Sequence, residues 1–200
     1  MNKNPVLAAI LSGNKQSIRK KSIEKRNQLS KKTIDKYSKI ISDKLLANFN
    51  FKDQSTHLFY QIKENKEVNT WFLHNKLILE NNTFYCSIHN STFNRWDCVQ
   101  FDPKVNFTKT TFKVPIPSIY NKSTYSEINI IIVPLLAFDS VGNRIGYGKG
   151  IYDNILSKLN TNCIKIGVSF FEAEQEIIEV TDNDMKLDYC QTTSMLHKFT

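Results

Sequence analysis

Residues 128–133 read Ile-Asn-Ile-Ile-Ile-Val, an aliphatic run broken only by Asn129. A run of this kind suits a strand buried on both faces, and such strands belong to parallel sheets covered by helices on either side. The segment after it is equally restrictive. Val133-Pro134 leads through Phe138-Asp139 and Gly142-Asn143-Arg144 to Gly146-Tyr147-Gly148-Lys149-Gly150, and then to a helical pattern that carries Asp153. Glycines at every second position let a backbone approach an anion closely. Amide N–H groups at a helix start favour negative charge. Arg144 and Lys149 add full cations, and Asp153 is placed to hold a metal ion against phosphate oxygens. Neither the phosphate-loop pattern nor the dinucleotide pattern is matched, because the glycine spacing differs from both. On spacing alone the segment reads equally as a phosphate cradle or as a tight strand-to-helix connection.

The rest of the chain alternates strand and helix signals. Residues 14–29 read as a polar helix with Lys15 and Arg19 on one face. Ser30 is placed to cap a second helix, where Ile34, Tyr37, Ile41 and Leu45 recur at helical spacing and Leu46 and Phe49 extend the stripe. Strands are expected at 58–62, 84–88, 98–101, 128–134, 163–169 and 189–192. Helices are expected at 71–80, capped by Asn69 or Thr70, and at 152–159. Residues 107–117 read as irregular, since Pro115 and Pro117 exclude helix and central strand. The expected fold is therefore α/β: one domain over residues 1–200, with a mostly parallel sheet flanked by helices. Ligands of open α/β sheets bind beyond the carboxyl ends of the strands. Residues 146–153, 64–70 and 181–184 would all lie there.

Charge is unevenly spread. Residues 1–50 hold 12 Lys and Arg against 3 Asp and Glu, a net of +9, while the remaining 150 residues carry −1. The excess reads as an attractor for a polyanion or as the solvated face of lysine-rich helices. Nothing resembling a nucleic-acid-binding module accompanies it, so nucleic acid is not the expected partner. No apolar run reaches the roughly 18 residues of a membrane span, and the short apolar patch at 6–11 reads as a lightly packed start rather than a signal peptide. Cys86, Cys98, Cys163 and Cys190 form no C-x-x-C pair and read as buried free thiols, which favours a reducing cytoplasm. The four histidines show no metal-ligand spacing.

Four blocks together resemble the 5-formyltetrahydrofolate cyclo-ligase (5,10-methenyltetrahydrofolate synthetase) family, over about residues 15–193. They are the basic pair Lys15 and Arg19; Glu67-Val68-Asn69-Thr70; the 133–153 segment described above; and Asn183-Asp184-Met185-Lys186-Leu187-Asp188. Several positions depart from the family pattern: Leu135, Ile151, Ile178-Glu179, Phe112 and the 114–117 segment. The resemblance implies a Rossmann-like sheet of the NagB/RpiA/CoA transferase-like kind. It also implies conversion of 5-formyltetrahydrofolate, polyglutamylated or not, to 5,10-methenyltetrahydrofolate, with ATP consumed, Mg²⁺ required, and ADP and phosphate released.

By the same resemblance Lys149 and Arg144 would be catalytic. Lys15, Arg19, Arg144, Gly146, Gly148, Lys149, Gly150 and Tyr152 would bind ATP, and Asp153 and Asp184 would hold Mg²⁺. Ile62, Glu67, Phe112, Tyr147 and Tyr152 would line the folate side of a monomeric enzyme. Plainer roles stand beside these: Tyr152 as core packing, Tyr147 as a solvent-facing ring, Glu67 as a helix-start residue, Asp184 and Asp188 as solvated acids. A non-catalytic relative that binds nucleotide or RNA through its basic N-terminal helices is the competing reading.

Overall fold

The computed structural model describes residues 5–110 and 113–199, with side chains from residue 14 onward. The chain opens with two helices, α1 (Pro5–Asn27) and α2 (Lys31–Asn48), followed by β1 (Ser55–His57) and α3 (Trp71–Leu77). Next come β2 (Thr83–Asn90), β3 (Arg95–Phe101), β4 (Phe107–Lys109), β5 (Pro115–Pro117) and β6 (Asn121–Lys122). The second half holds β7 (Ile130–Pro134), β8 (Ala137–Phe138), β9 (Arg144–Ile145), α4 (Ile151–Leu156), β10 (Ile164–Val168), β11 (Tyr189–Gln191) and β12 (Leu196–Lys198).

Among the described residues, eight strands form one sheet in the order β12-β11-β10-β7-β1-β2-β3-β6. Its five central strands, β11 to β2, are all parallel to their neighbours, and the pairings toward both edges are antiparallel. The aliphatic run occupies β7 at the middle. Ile130 and Ile132 enter the core on one face; Ile131 and Val133 enter a second core on the other. A strand that alternates between two apolar layers has no reason to alternate in polarity.

The α2 stripe behaves as its spacing dictates. Ser30 Oγ accepts from Thr33 N at 3.1 Å as the N-cap, and Ile34, Ile41 and Leu45 are buried. Ser38 and Ser42 share that buried face; Ser42 Oγ donates to Ser38 O, and Ser38 Oγ accepts from Asn69 N, tying α2 to the loop before α3.

Four expectations need correction. The first strand is Ser55–His57 rather than 58–62. Leu58, Phe59 and Tyr60 are buried, and Leu58 N still donates to Tyr85 O of β2 at 2.9 Å, but the chain leaves the ladder from Phe59, whose carbonyl accepts from Thr70 Oγ1. Apolarity there signals burial without strand pairing. Residues 107–117 are not irregular throughout, since β4 and β5 form an antiparallel ribbon outside the main sheet. Prolines are tolerated in such two-stranded edges, where one side of each strand needs no partner. The 133–153 segment does not run directly from strand to helix; β8 and β9 make a hairpin within it. Helix α1 begins at Pro5, nine residues before the expected start. The expectation of a lightly packed start rests on side chains outside the described residues, as does Phe112.

All four cysteines are free and buried. Among the described residues no helix is long and apolar enough to cross a membrane.

Candidate active site

The β8–β9 hairpin is built around Asp139, which is fully buried. Its Oδ1 accepts from Val141 N and Asn143 N, each at 3.0 Å, and its Oδ2 accepts from Asn143 Nδ2 at 2.7 Å and Ile178 N at 2.8 Å. Four donors on one carboxylate compensate its loss of water. They also fix where Arg144 leaves the hairpin. Leu136, Ala137, Ile145 and Ile178 form a small apolar cluster, and Ile18 and Ile23 of α1 close over it.

This packing turns one stripe of α1, residues 15, 19, 22 and 26, toward the glycine segment. Lys15 Nζ donates to Asp184 Oδ2 at 2.6 Å. Arg19 Nε donates to Gly146 O at 2.8 Å. Arg26 Nη1 donates to the Tyr147 hydroxyl at 3.1 Å, and its Nη2 to Leu135 O at 2.6 Å. The far end of α1 is held by Lys66, whose Nζ donates to Asn27 O at 2.6 Å and Leu29 O at 2.8 Å. A cation there satisfies carbonyls left over at a helix C-terminus.

Gly148 (φ +85°) and Gly150 (φ +64°) adopt the left-handed backbone that side chains disfavour. A Cβ on Gly148 would stand 3.2 Å from the Arg19 guanidinium carbon, whereas one on Gly146 or Gly150 would meet nothing within 4 Å. The glycine segment therefore borders open space on the side away from α1. Lys149 is exposed, and among the described residues no hydrogen bond or ion pair engages its ammonium.

The two carboxylates expected to act together are linked through one backbone amide. Arg144 Nη1 and Nη2 donate to Asp153 Oδ1 at 3.0 and 2.9 Å, and Nη1 also donates to Met185 O at 3.1 Å. Met185 N donates to the same Asp153 oxygen at 3.2 Å, so the residue following Asp184 is bonded to Asp153. Asp184 Oδ2 accepts from Lys15 Nζ and from Thr181 N and Oγ1. Although burial opposes it, this set of donors holds the Asp184 carboxyl below its ordinary pKa. Each aspartate thus has one oxygen saturated by protein donors and one left open among the described residues.

The Arg144 side chain is only 5% exposed. Burial lowers its pKa and the nearby Asp153 and Asp184 raise it again. Its guanidinium is engaged by Asp153 and Met185 O.

Glu67 lies beside Arg26 and Tyr147. Its side chain is buried; Oε2 accepts from Ile62 N at 2.8 Å, and its carbonyl accepts from Gln61 Nε2 at 2.8 Å. Burial holds its pKa above the ordinary carboxylate value, and Ile62 N, Arg26, Asn65 and Tyr147 offset only part of that rise. Tyr147 exposes part of its ring but encloses its hydroxyl beside Arg26 and Glu67, and that burial pushes its pKa up to about 12. Tyr152 packs on both apolar cores, which favours the plainer packing role, yet its hydroxyl feels the Glu67 charge. Among the described residues, two surface depressions of about 300 Å³ border β2–β3 and β3–β6 and contain none of these groups.

Arg26 and Lys66 escaped the sequence reading, which named Asp139 and the turn at Thr181 without giving either residue a role. Arg26 had a usable signal: it falls seven residues after Arg19, on the same helical stripe.

The chain is thus an α/β protein whose β8–β9 hairpin leads into a glycine segment, with two linked aspartates and a cationic helix bonded to that segment and to Asp184. A model of the 5-formyltetrahydrofolate cyclo-ligase family matches residues 11–193, and the chain belongs to that family. It is similar to the 5-formyltetrahydrofolate cyclo-ligase of Mycoplasma genitalium (40% identity over 50 residues, 25% of this chain and 30% of the relative). It is also similar to that of Haemophilus influenzae (29% over 108 residues, 52% of this chain and 58% of the relative). The matches thus span less than two thirds of these curated relatives. Among solved structures, Aquifex aeolicus 5,10-methenyltetrahydrofolate synthetase shares the fold with a TM-score of 0.79 at 23% identity, over 92% of both chains. The Mycoplasma pneumoniae 5,10-methenyltetrahydrofolate synthetase shares it at 0.68 and 23%, over 88% of this chain and 97% of the other.

Proposed function

We propose that this chain converts 5-formyltetrahydrofolate to 5,10-methenyltetrahydrofolate, using ATP as a second substrate and releasing ADP and phosphate. The observation that carries the proposal is the pair Asp153 and Asp184, each with one oxygen open, beside a glycine segment that faces open space and an unpaired Lys149. Two carboxylate oxygens suit Mg²⁺, which takes few protein ligands and completes its shell with phosphate oxygens and water.

The chemistry required is modest. A formamide oxygen is a poor leaving group until it carries a phosphoryl group. The formyl oxygen would attack the γ-phosphorus as the bond to ADP breaks; N10 would then attack the formyl carbon and give its proton to solvent, and the C–O bond would break with loss of phosphate. The protein supplies position and charge. Lys149 and the 146–150 backbone would hold the triphosphate, with Lys15 and Arg19 fixing the helix that backs it. Asp153 and Asp184 would hold Mg²⁺, whose charge offsets that of the phosphates. Arg144 would orient Asp153. Glu67 and the Ile62 carbonyl would accept hydrogen bonds on the pterin side, next to Tyr147 and Tyr152, while the Ile62 N–H holds the Glu67 carboxylate in place.

The competing nucleotide- or RNA-binding reading has less support. Lys15, Arg19 and Arg26 turn inward to protein acceptors, and Lys21 and Lys25 lie 3.9 and 3.7 Å from Glu174. The test is incubation with 5-formyltetrahydrofolate, ATP and Mg²⁺ while following the methenyl chromophore, omitting each component in turn. Product should require all three; RNA binding without turnover would favour the competitor.

A further inference from the structure

Among the described residues Arg26 is the most deeply buried Lys or Arg, at 4% exposure, and its charge acts on a carboxylate of 6% exposure, Glu67. The two make no direct ion pair among the described residues. Tyr147 stands between them: its hydroxyl accepts from Arg26 Nη1 and faces the Glu67 carboxylate. Arg26 Nη2 is anchored on Leu135 O, just past the carboxyl end of β7, and its buried Nε has no partner. An arginine serving only to pack helix against hairpin would be replaceable by an apolar side chain. One whose charge is buried without a direct counter-ion implies that its field is used by the nearest anion.

We propose that Arg26 is a positioning residue that keeps the Glu67 carboxylate anionic and, through Tyr147, turned toward the folate. The inference rests on the reading that Glu67 contacts the substrate. An anionic carboxylate accepts hydrogen bonds from the N–H groups of an aminopyrimidine ring; a protonated one loses acceptor capacity. Burial pulls Glu67 toward the protonated form, and Arg26 opposes this. The other groups facing Glu67 are the Ile62 amide and Asn65 in its own loop, Tyr147 from the glycine segment and Tyr152 from α4. Arg26 is the only full positive charge among them.

The test compares Arg26→Gln, Arg26→Lys and Glu67→Gln with wild type, recording kcat/KM for 5-formyltetrahydrofolate from pH 5 to 9 and KM for ATP. Arg26→Gln retains a donor for Leu135 O but no charge. Its acid limb should move up by about 1 pH unit, the effect of removing an opposite charge nearby, while KM for ATP stays within about twofold. Arg26→Lys restores the charge and should return the limb to the wild-type position. Glu67→Gln should lack the limb. A limb that stays in place in Arg26→Gln but vanishes in Glu67→Gln overturns the proposal and leaves the Glu67 reading intact. If Glu67→Gln keeps both the limb and wild-type KM, the Glu67 reading fails first. Should Arg26→Gln not fold, a lysine variant whose limb has shifted a full unit would also overturn the proposal.

Discussion

Arg144 holds a single oxygen of Asp153 with both of its terminal nitrogens, at 3.0 and 2.9 Å, and leaves the other oxygen open. Hydrogen bonds placed behind a carboxylate in this way fix the direction in which it presents its remaining lone pairs. Arg144→Met should therefore raise the Mg²⁺ concentration needed for half-maximal turnover by about tenfold or more. Titrating Mg²⁺ in the methenyl assay measures this directly; an unchanged Mg²⁺ requirement would remove Arg144 from the site.

Lys149 offers the opposite case, since it is exposed and has no hydrogen-bond or ion-pair partner among the described residues. Lys149→Ala should leave stability within about 0.5 kcal/mol. Its kcat/KM should fall more than tenfold, equivalent to roughly 2–4 kcal/mol of lost charge stabilisation. Thermal melting and steady-state kinetics on one preparation separate the two effects. Unchanged turnover would refute the assignment.

The two glycines 146 and 148 should respond differently to the same methyl group. Ala at Gly148 meets a positive φ and the Arg19 guanidinium, and should cost about 1–2 kcal/mol of stability. Ala at Gly146 meets neither. Gly146→Ala should melt like wild type yet raise KM for ATP, because its Cβ projects into the space assigned to phosphate. Equal ATP affinity in Gly146→Ala would place the triphosphate elsewhere.

How much of this was legible depended on whether a residue's surroundings are local. The Ile130–Pro134 strand and the Ser30-capped α2 were readable, because burial on two faces and helical spacing are written in neighbouring residues. The Ser55–His57 strand was displaced by the more apolar segment after it, since apolarity reports burial and not pairing. The hairpin within 133–153 was hidden because it depends on Asp139 reaching Ile178, 39 positions away. The roles of Lys15, Arg19, Glu67 and Asp184 came from family resemblance, whereas Asp153 was also readable from its place in the first turn after the glycines. Arg26 was lost among the lysines of a basic helix because sequence charge does not say which cation turns inward.

Outside the cleft, His57 makes a separate prediction for acid stability. It is fully buried in β1, with Nε2 bonded to Ser87 Oγ at 2.8 Å and Nδ1 unpartnered. Desolvation lowers its pKa from 6.5 to about 3. Between those values the unfolded chain binds the extra proton, so stability is fully present above pH 6.5 and is lost as pH falls toward 3. The slope from this one group reaches about 1.4 kcal/mol per pH unit. Urea unfolding at pH 7, 6, 5 and 4 should show His57→Gln losing less stability per unit than wild type. Parallel slopes would show that His57 takes up its proton without unfolding the protein.

The most direct test of the central claim is a rate comparison of wild type with Asp153→Asn and Asp184→Asn, each confirmed folded by circular dichroism, in the methenyl assay at saturating ATP and graded Mg²⁺. The prediction is that wild type forms the chromophore only with ATP and Mg²⁺, and that each variant loses more than about tenfold in rate or in Mg²⁺ affinity. Wild-type rates in both variants across the Mg²⁺ series would contradict it.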